Sequence, residues 1–243
     1  SKDAAERFLA LGKDGDALKM CLLALESCPL DQDIFDRARR LAEKLVDWAS
    51  WSEALRTRLG SGPEQQPELL IEYAHLMVNR LDQVDEAVRV LEAAIERGTT
   101  ESVVRLCADL LVEQSDWARA AHHYKFLHLS TSNVQLSRAL AFRLVAIYTT
   151  HLGDDAEARR LLNSLIEFEP TDVDAMVALA DLENGAGNRH VERILLARAI
   201  SVATDDDRKA ALRIRLALLD QSEDFEDLAA RRLRLAAADA VAS

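Results

Sequence analysis

The sequence predicts an all-α fold, an α-solenoid of about seven antiparallel helix hairpins. Three observations predict it. Leu, Ala, Arg and Glu dominate the 243 residues, while Gly totals eight and Pro four, too few for a protein of many turns and short strands. Apolar residues recur at i, i+3 and i+4, and strand-like alternation is absent. Finally, a pattern of breaker, small residue, two apolar residues and stop returns about every 34 residues.

Residues 149–172, TTHLGDDAEARRLLNSLIEFEPTD, show the pattern most clearly. Gly153 and Asp154 break one helix, and Asp154 or Asp155 can cap the next by accepting orphan backbone N–H bonds. Ala158, Leu162 and Leu165 then share a helical face, and Pro170 stops the helix.

The other elements follow in order. Residues 1–30 open with Ala4, Ala5, Phe8 and Leu9, turn at 12–15, and continue from Asp16 with Ala17, Cys21 and Ala24 on one face and Pro29 as the stop. In 32–60, Ile34, Phe35, Ala38, Leu41, Ala42 and Leu45 form one face and Ala54, Leu55 and Leu59 its partner, with the turn expected at 48–52. The breaker-rich run GSGPEQQP at 60–67 reads either as a hinge between subarrays or as a long loop, with Pro67 pre-set for a first helical turn. Leu70, Ile71, Ala74, Met77 and Val78 make the next helix; Asp85 and Glu86 open its partner, built on Ala87, Val90, Leu91 and Ala94. Val103, Val104, Cys107, Ala108 and Leu111 follow, then a turn at 115–117, then Ala120, Tyr124 and Leu127. After the STSN loop a longer helix over 136–150 is built on Phe142, Val145, Ala146 and Ile147. Beyond Pro170 come Ala175, Met176, Leu179, Ala180 and Leu182, a turn at 185–188, and a helix with Ile194, Leu195, Leu196, Ala199 and Ile200 that stops near 204–206. A looser pair over 207–221 and 224–238, with an arginine stripe at Arg231, Arg232 and Arg234, makes 205–243 the capping end of a single domain over 1–243.

The small residue early in each second helix sets the period. Ala17, Ala54, Ala87, Ala120 and Ala158 mark it, and their steps drift around a common value. The two middle steps are the shorter ones, and the first and last run a few positions longer. With two helices per period, the chain resembles the tetratricopeptide-repeat family, as a divergent array. Matching residues include Ala17, Cys21, Ala24 and Pro29; Ala87, Leu91 and Ala94; Ala120, Tyr124 and Leu127; and Ala158, Leu162, Leu165 and Pro170. First helices fit through small residues at Ala108, Ala146 and Ala180. The family's early aromatic appears only as Phe35 and Phe142, and its first-helix glycine is replaced by Ala or, at His75, by a larger residue. The structural rival is another α-solenoid or an irregular helical bundle. The resemblance implies a right-handed superhelix whose first helices line a concave groove for an extended or helical peptide. The groove positions it implies are Arg39, Arg40, Glu43, Glu72, Tyr73, Leu76, Arg105, Asp109, Arg143, Ile147, Asp181, Asn184 and Arg213. Some members clamp a C-terminal carboxylate with Lys and Asn; Arg or Glu stands at those places here, so that clamp does not carry over.

A formal charge of −12 argues against nucleic acid as a partner. Arg outnumbers Lys by 24 to 6, which reads either as GC-rich coding, hence the expected bacterial origin, or as a set of bidentate anion contacts. Cys21, Cys28 and Cys107 make no disulfide framework, which fits a cytoplasmic address, and no apolar run reaches a membrane span. P-loop, dinucleotide turn, nucleophile elbow and HExxH pair are all absent, so no enzyme, cofactor or metal is expected. His122, His123 and His128 lack the i, i+4 spacing of a one-helix metal site and read as a solvated helix surface. The functional expectation is a non-enzymatic scaffold for a protein or peptide. The alternative, prompted by the start at Ser1 and the short first helix, is a sensor or oligomerisation module of a larger protein.

Overall fold

Short polar side chains start several helices of this chain. In the computed structural model, Asp31, Asn133, Asp154 and Asp172 each accept a hydrogen bond from a backbone N–H one turn on, satisfying a donor the helix leaves unpaired. The structure describes residues 2–61, 66–221 and 230–237. They divide between two compact units, Ser1–Leu127 and His128–Ser243.

The first unit holds α1 (Lys2–Ala10), α2 (Asp14–Ser27), α3 (Gln32–Leu45), α4 (Trp48–Ser61), α5 (Pro67–Leu81), α6 (Val84–Glu96), α7 (Glu101–Glu113) and most of α8 (Trp117–Ser130). The second holds α9 (Val134–Ile147), which runs on as a π-helical turn (Tyr148–Leu152), then α10 (Asp155–Phe168), α11 (Val173–Gly185), α12 (Arg189–Val202), α13 (Asp206–Gln221) and a helical stretch over 230–237. No strand occurs among the described residues, and no helix there is long and apolar enough to cross a membrane.

The landmark alanines do what a close-packing point should. Ala17, Ala54, Ala87, Ala120 and Ala158 are all buried, so a neighbouring backbone can approach where a longer side chain would hold it off. In the second unit Leu162, Ile166, Met176, Leu179, Leu196 and Leu216 from four successive helices close into one apolar cluster. The sequence period is also a stacking period. Arg39 of α3 reaches Glu72 of α5 at 3.4 Å, and Arg215 of α13 reaches Asp181 of α11 at 2.5 Å. Each pair is separated by one repeat of chain and joins the first helices of successive hairpins.

Three expectations are corrected. The turn placed at 48–52 lies earlier: Val46 takes the left-handed conformation (φ 56°) and Asp47 accepts from Ser50 N at 3.1 Å, so α4 begins at Trp48. In α9 the close-packing residue is Ala141, fully buried, while Ala146 is exposed. Ala141 follows Ala108 by one ordinary repeat, which restores the period on the first helices. The long step to Ala158 therefore arises within this hairpin, where Ala141 and Ala158 stand farther apart in the chain than Ala108 and Ala120 do in the one before. The extra length runs into the π-helical turn, whose wider i→i+5 bonding accommodates insertions, before Gly153 (φ 64°) ends it. Arg232, expected on the polar outer face of the capping end, is half-buried and paired with the fully buried Asp220. The 60–67 run lies inside the first unit, with Pro67 in the first turn of α5; residues 62–65 are outside the described set, as are 224–229 and 238 of the expected final pair.

Candidate functional site

The expected groove positions fall into two groups. Arg39, Arg40 and Glu43 are exposed on α3, Arg105 on α7, Arg143 on α9, and Asp181 and Asn184 reach solvent on α11. Arg39 Nε donates to Glu43 at 3.2 Å, and its guanidinium sits 5.8 Å from the Trp51 ring centroid. Glu72, half-buried, also accepts from Trp51 Nε1 at 3.3 Å, so Arg39, Glu43 and Glu72 form one polar cluster. Asp109 is half-buried and accepts from the Tyr124 hydroxyl at 2.5 Å, and Arg213 donates to the Leu235 carbonyl at 3.2 Å. Tyr73, Leu76 and Ile147, by contrast, are buried at 1%, 7% and 4% exposure and belong to the packing of their units. One step along a helix turns the side chain by about 100°, so a face judged by apolar spacing alone can be misjudged by one position. The Tyr73 hydroxyl points toward the second helices, where Arg56 of α4 donates to it at 3.1 Å.

Around that hydroxyl lies a cavity of about 190 Å³ with Arg56, Arg58, Arg89 and Arg97 on its walls. Glu86 balances two of these charges, lying 3.1 Å from Arg56 and 2.6 Å from Arg89; the Arg89 hydrogen bond holds its carboxyl below the usual range, outweighing burial. Arg58 stacks 4.9 Å from the Phe35 ring centroid and donates to the Pro29 carbonyl. In the second unit a cavity of about 270 Å³ is bounded by Val134, Leu165 and Phe168 on its apolar side and by His128, Arg138 and Asp172 on its polar side. Phe168 is 71% exposed at its mouth. Arg138 is committed there, donating to Asp172 at 2.7 and 2.9 Å and to Asp174 at 2.7 Å.

A third arrangement, which sequence spacing missed, lies in the first unit. Glu92 of α6, Cys107 of α7 and His123 of α8 bring a carboxylate oxygen, a thiol sulfur and a ring nitrogen within 4.8 Å of one another. His123 Nε2 is 3.2 Å from Glu92 Oε1, and Arg119 forks onto the same carboxylate at 3.2 and 2.6 Å. His123 is therefore not part of a solvated face: it is buried, as are Tyr124 and Cys107, while His122 is exposed and His128 bonds with Ser137. Burial first, and then the Glu92 charge, push the Cys107 thiol up to about 12. The three residues come from three different helices, so no single-helix motif contains them.

Solved structures similar to this chain include tetratricopeptide-repeat proteins. The C-terminal part of a TPR repeat-containing protein from Cytophaga hutchinsonii is 12% identical; the match covers 96% of this chain and 94% of that one, with a TM-score of 0.53. Two further similar structures have TM-scores of 0.48: MamA, from residue 41 on, from Desulfovibrio magneticus RS-1 (14% identical, 75% of this chain, 99% of that one) and YrrB, described as a TPR protein with an unusual peptide-binding site (14%, 77% and 93%). No family model and no curated protein matches the chain. The chain has the fold of tetratricopeptide-repeat proteins, an all-α array of helix hairpins.

Proposed function

We propose that the chain is a non-enzymatic scaffold that binds a peptide or protein segment on the exposed faces of its first helices, each unit taken by itself: α3, α5 and α7 in the first, and α9, α11 and α13 in the second. The observation that carries this reading is the repeat-spaced row of charged side chains on those faces. In the first unit Arg39, Glu72 and Arg105 follow one another at steps of one repeat; the second unit, taken by itself, exposes Arg143 on α9 and Asp181 on α11. The apolar faces of the same helices are consumed by packing on their neighbours, so the outward faces remain for a partner. Solvent-exposed ion pairs contribute about 0–1 kcal/mol each, so arginines on such a face can exchange a side-chain partner for a ligand carboxylate at little cost. Arg presents a planar fork that matches a carboxylate with two bonds, which favours an acidic segment as the ligand.

Selection of binding peptides from a displayed library on the purified protein, followed by fluorescence anisotropy with the selected sequence, tests this. Combined Arg105→Glu and Arg143→Glu should weaken binding by about tenfold or more, the equivalent of losing one or two charge-assisted hydrogen bonds. Unchanged affinity in a variant with wild-type helicity overturns the assignment of these faces.

A further inference from the structure

Three neighbouring helices of the first unit each send one side chain of metal-binding chemistry into a single corner. We propose that Glu92, Cys107 and His123 form a binding site for a borderline-soft divalent cation, Zn²⁺ by the chemistry of the donors, with a water molecule in the fourth position.

The distances suit a four-coordinate ion. With Zn–N and Zn–O of about 2.0–2.1 Å and Zn–S of about 2.3 Å, tetrahedral ligands lie about 3.3–3.6 Å apart. His123 Nε2 and Glu92 Oε1 are already 3.2 Å apart, and the Cys107 sulfur lies within 4.8 Å of both residues' donor atoms. A shift of about an ångström at the sulfur or the carboxylate closes the set, within the reach of one side-chain torsion. The donor types discriminate as well. A thiolate disfavours Mg²⁺ and Ca²⁺, which take oxygen ligands, whereas a sulfur, nitrogen and oxygen set is within the zinc repertoire. Three protein ligands with one open position is an arrangement zinc accepts.

The surroundings meet the other requirements of such a site. Cys107 and His123 sit in the middle of α7 and α8, on rigid elements that fix their direction. The His122 ring packs edge-on against His123, centroids 5.6 Å apart, and steadies it. Arg119 binds Glu92 Oε2 at 2.6 Å and can keep that oxygen while Oε1 turns to the ion, acting as an outer support. Arg119 also pairs with Asp116 at 3.1 Å, so its charge is shared between Asp116 and Glu92, and the thiolate adds the further negative charge that offsets the cation. Access is open: a cavity of about 300 Å³ bounded by Glu92, Arg119, His122, His123 and Phe126 adjoins the carboxylate and the imidazole. On binding, the thiol proton goes to solvent and the His123 proton resides on the ring nitrogen that faces away from the ion.

Titration of the reduced full chain with Co²⁺ tests the proposal by spectroscopy. One equivalent should produce the sulfur-to-cobalt charge-transfer band in the near ultraviolet and the intense visible bands of four-coordinate cobalt. Cys107→Ser should abolish the charge-transfer band and His123→Gln should lose most of the affinity, while Cys28→Ser, altering an exposed thiol, should leave both intact. X-ray absorption on the wild-type protein loaded with one equivalent of Zn²⁺ needs no variant: one sulfur at about 2.3 Å with nitrogen and oxygen at about 2.0 Å is expected. A shell of light atoms only, binding weaker than stoichiometric at micromolar protein, or a charge-transfer band lost in Cys28→Ser but kept in Cys107→Ser, each overturns the proposal.

Discussion

Asp172 in the second unit and Glu92 in the first are both carboxylates gripped by an arginine from another helix, yet the two grips differ. Both oxygens of Asp172 are bonded within its own fold. Arg138 donates to both oxygens at 2.7 and 2.9 Å, the Ala175 N–H adds a cap bond at 3.0 Å, and the side chain is 3% exposed. Those bonds, the Arg138 fork above all, hold its carboxyl below the ordinary value against the opposing effect of burial. Glu92 is 29% exposed, and its Oε1 is shared between Arg119 and a histidine, beside a neutral thiol. Burial pushes its carboxyl up, and the bonds from Arg119 and His123 outweigh that and bring it down. A carboxylate held on both oxygens by its own fold is a fastener; one that shares a lone pair with a histidine, beside a thiol and more open to solvent, can be a site.

The difference should show first in stability. Asp172→Ala removes a helix cap and leaves Arg138 without its nearly buried partner, and should cost about 3–5 kcal/mol by urea denaturation. Glu92→Gln in metal-free protein keeps the shape and can still accept hydrogen bonds, so about 1 kcal/mol is expected. Equal losses would erase the contrast.

Acid titration sharpens the same comparison. The Asp172 and Asp174 carboxyls are depressed in the folded state, Asp172 chiefly by Arg138 and Asp174 chiefly by Arg208 and then Arg138. Their stabilisation is therefore complete above the unfolded carboxylate range near pH ~4 and is lost as the pH falls through the lower folded values. Arg138→Gln should raise the acid-unfolding midpoint followed by circular dichroism. Arg119→Gln should raise it less, because Glu92 is more exposed and keeps His123. A larger shift for Arg119→Gln would reverse the roles assigned to the two carboxylates.

The smallest effect is one of access. Cys28 is exposed, whereas Cys21 and Cys107 are buried, with both thiols raised above their ordinary value. A chromogenic disulfide reagent should therefore titrate one thiol rapidly in the native protein, with two more appearing on unfolding. Rapid reaction at Cys107, read by mass spectrometry, would mean that the Glu92 corner opens more widely than its packing implies.

Much of the fold was legible because its causes are local. Asp154 and Pro67 act within a turn of their helices, and Ala17, Ala54, Ala87, Ala120 and Ala158 mark packing points at the repeat interval; all behave as the sequence indicates. The errors arose where registration within a helix decides. Ala141 rather than Ala146 packs in α9, and Tyr73, Leu76 and Ile147 point inward, because one step along a helix turns the side chain by about 100° and several faces fit the same apolar spacing.

The helices, their pairing into hairpins and the period on which they stack are legible in the chain, since capping, propensity and apolar spacing are written in neighbouring residues. Which distant side chains meet is set by the packing of helices against one another. Glu92, Cys107 and His123 lie on three helices and share no motif, and Arg138 finds Asp172 one repeat away. These encounters depend on helix rotation and on the step between hairpins, which many packing contacts set together and no short stretch of chain encodes.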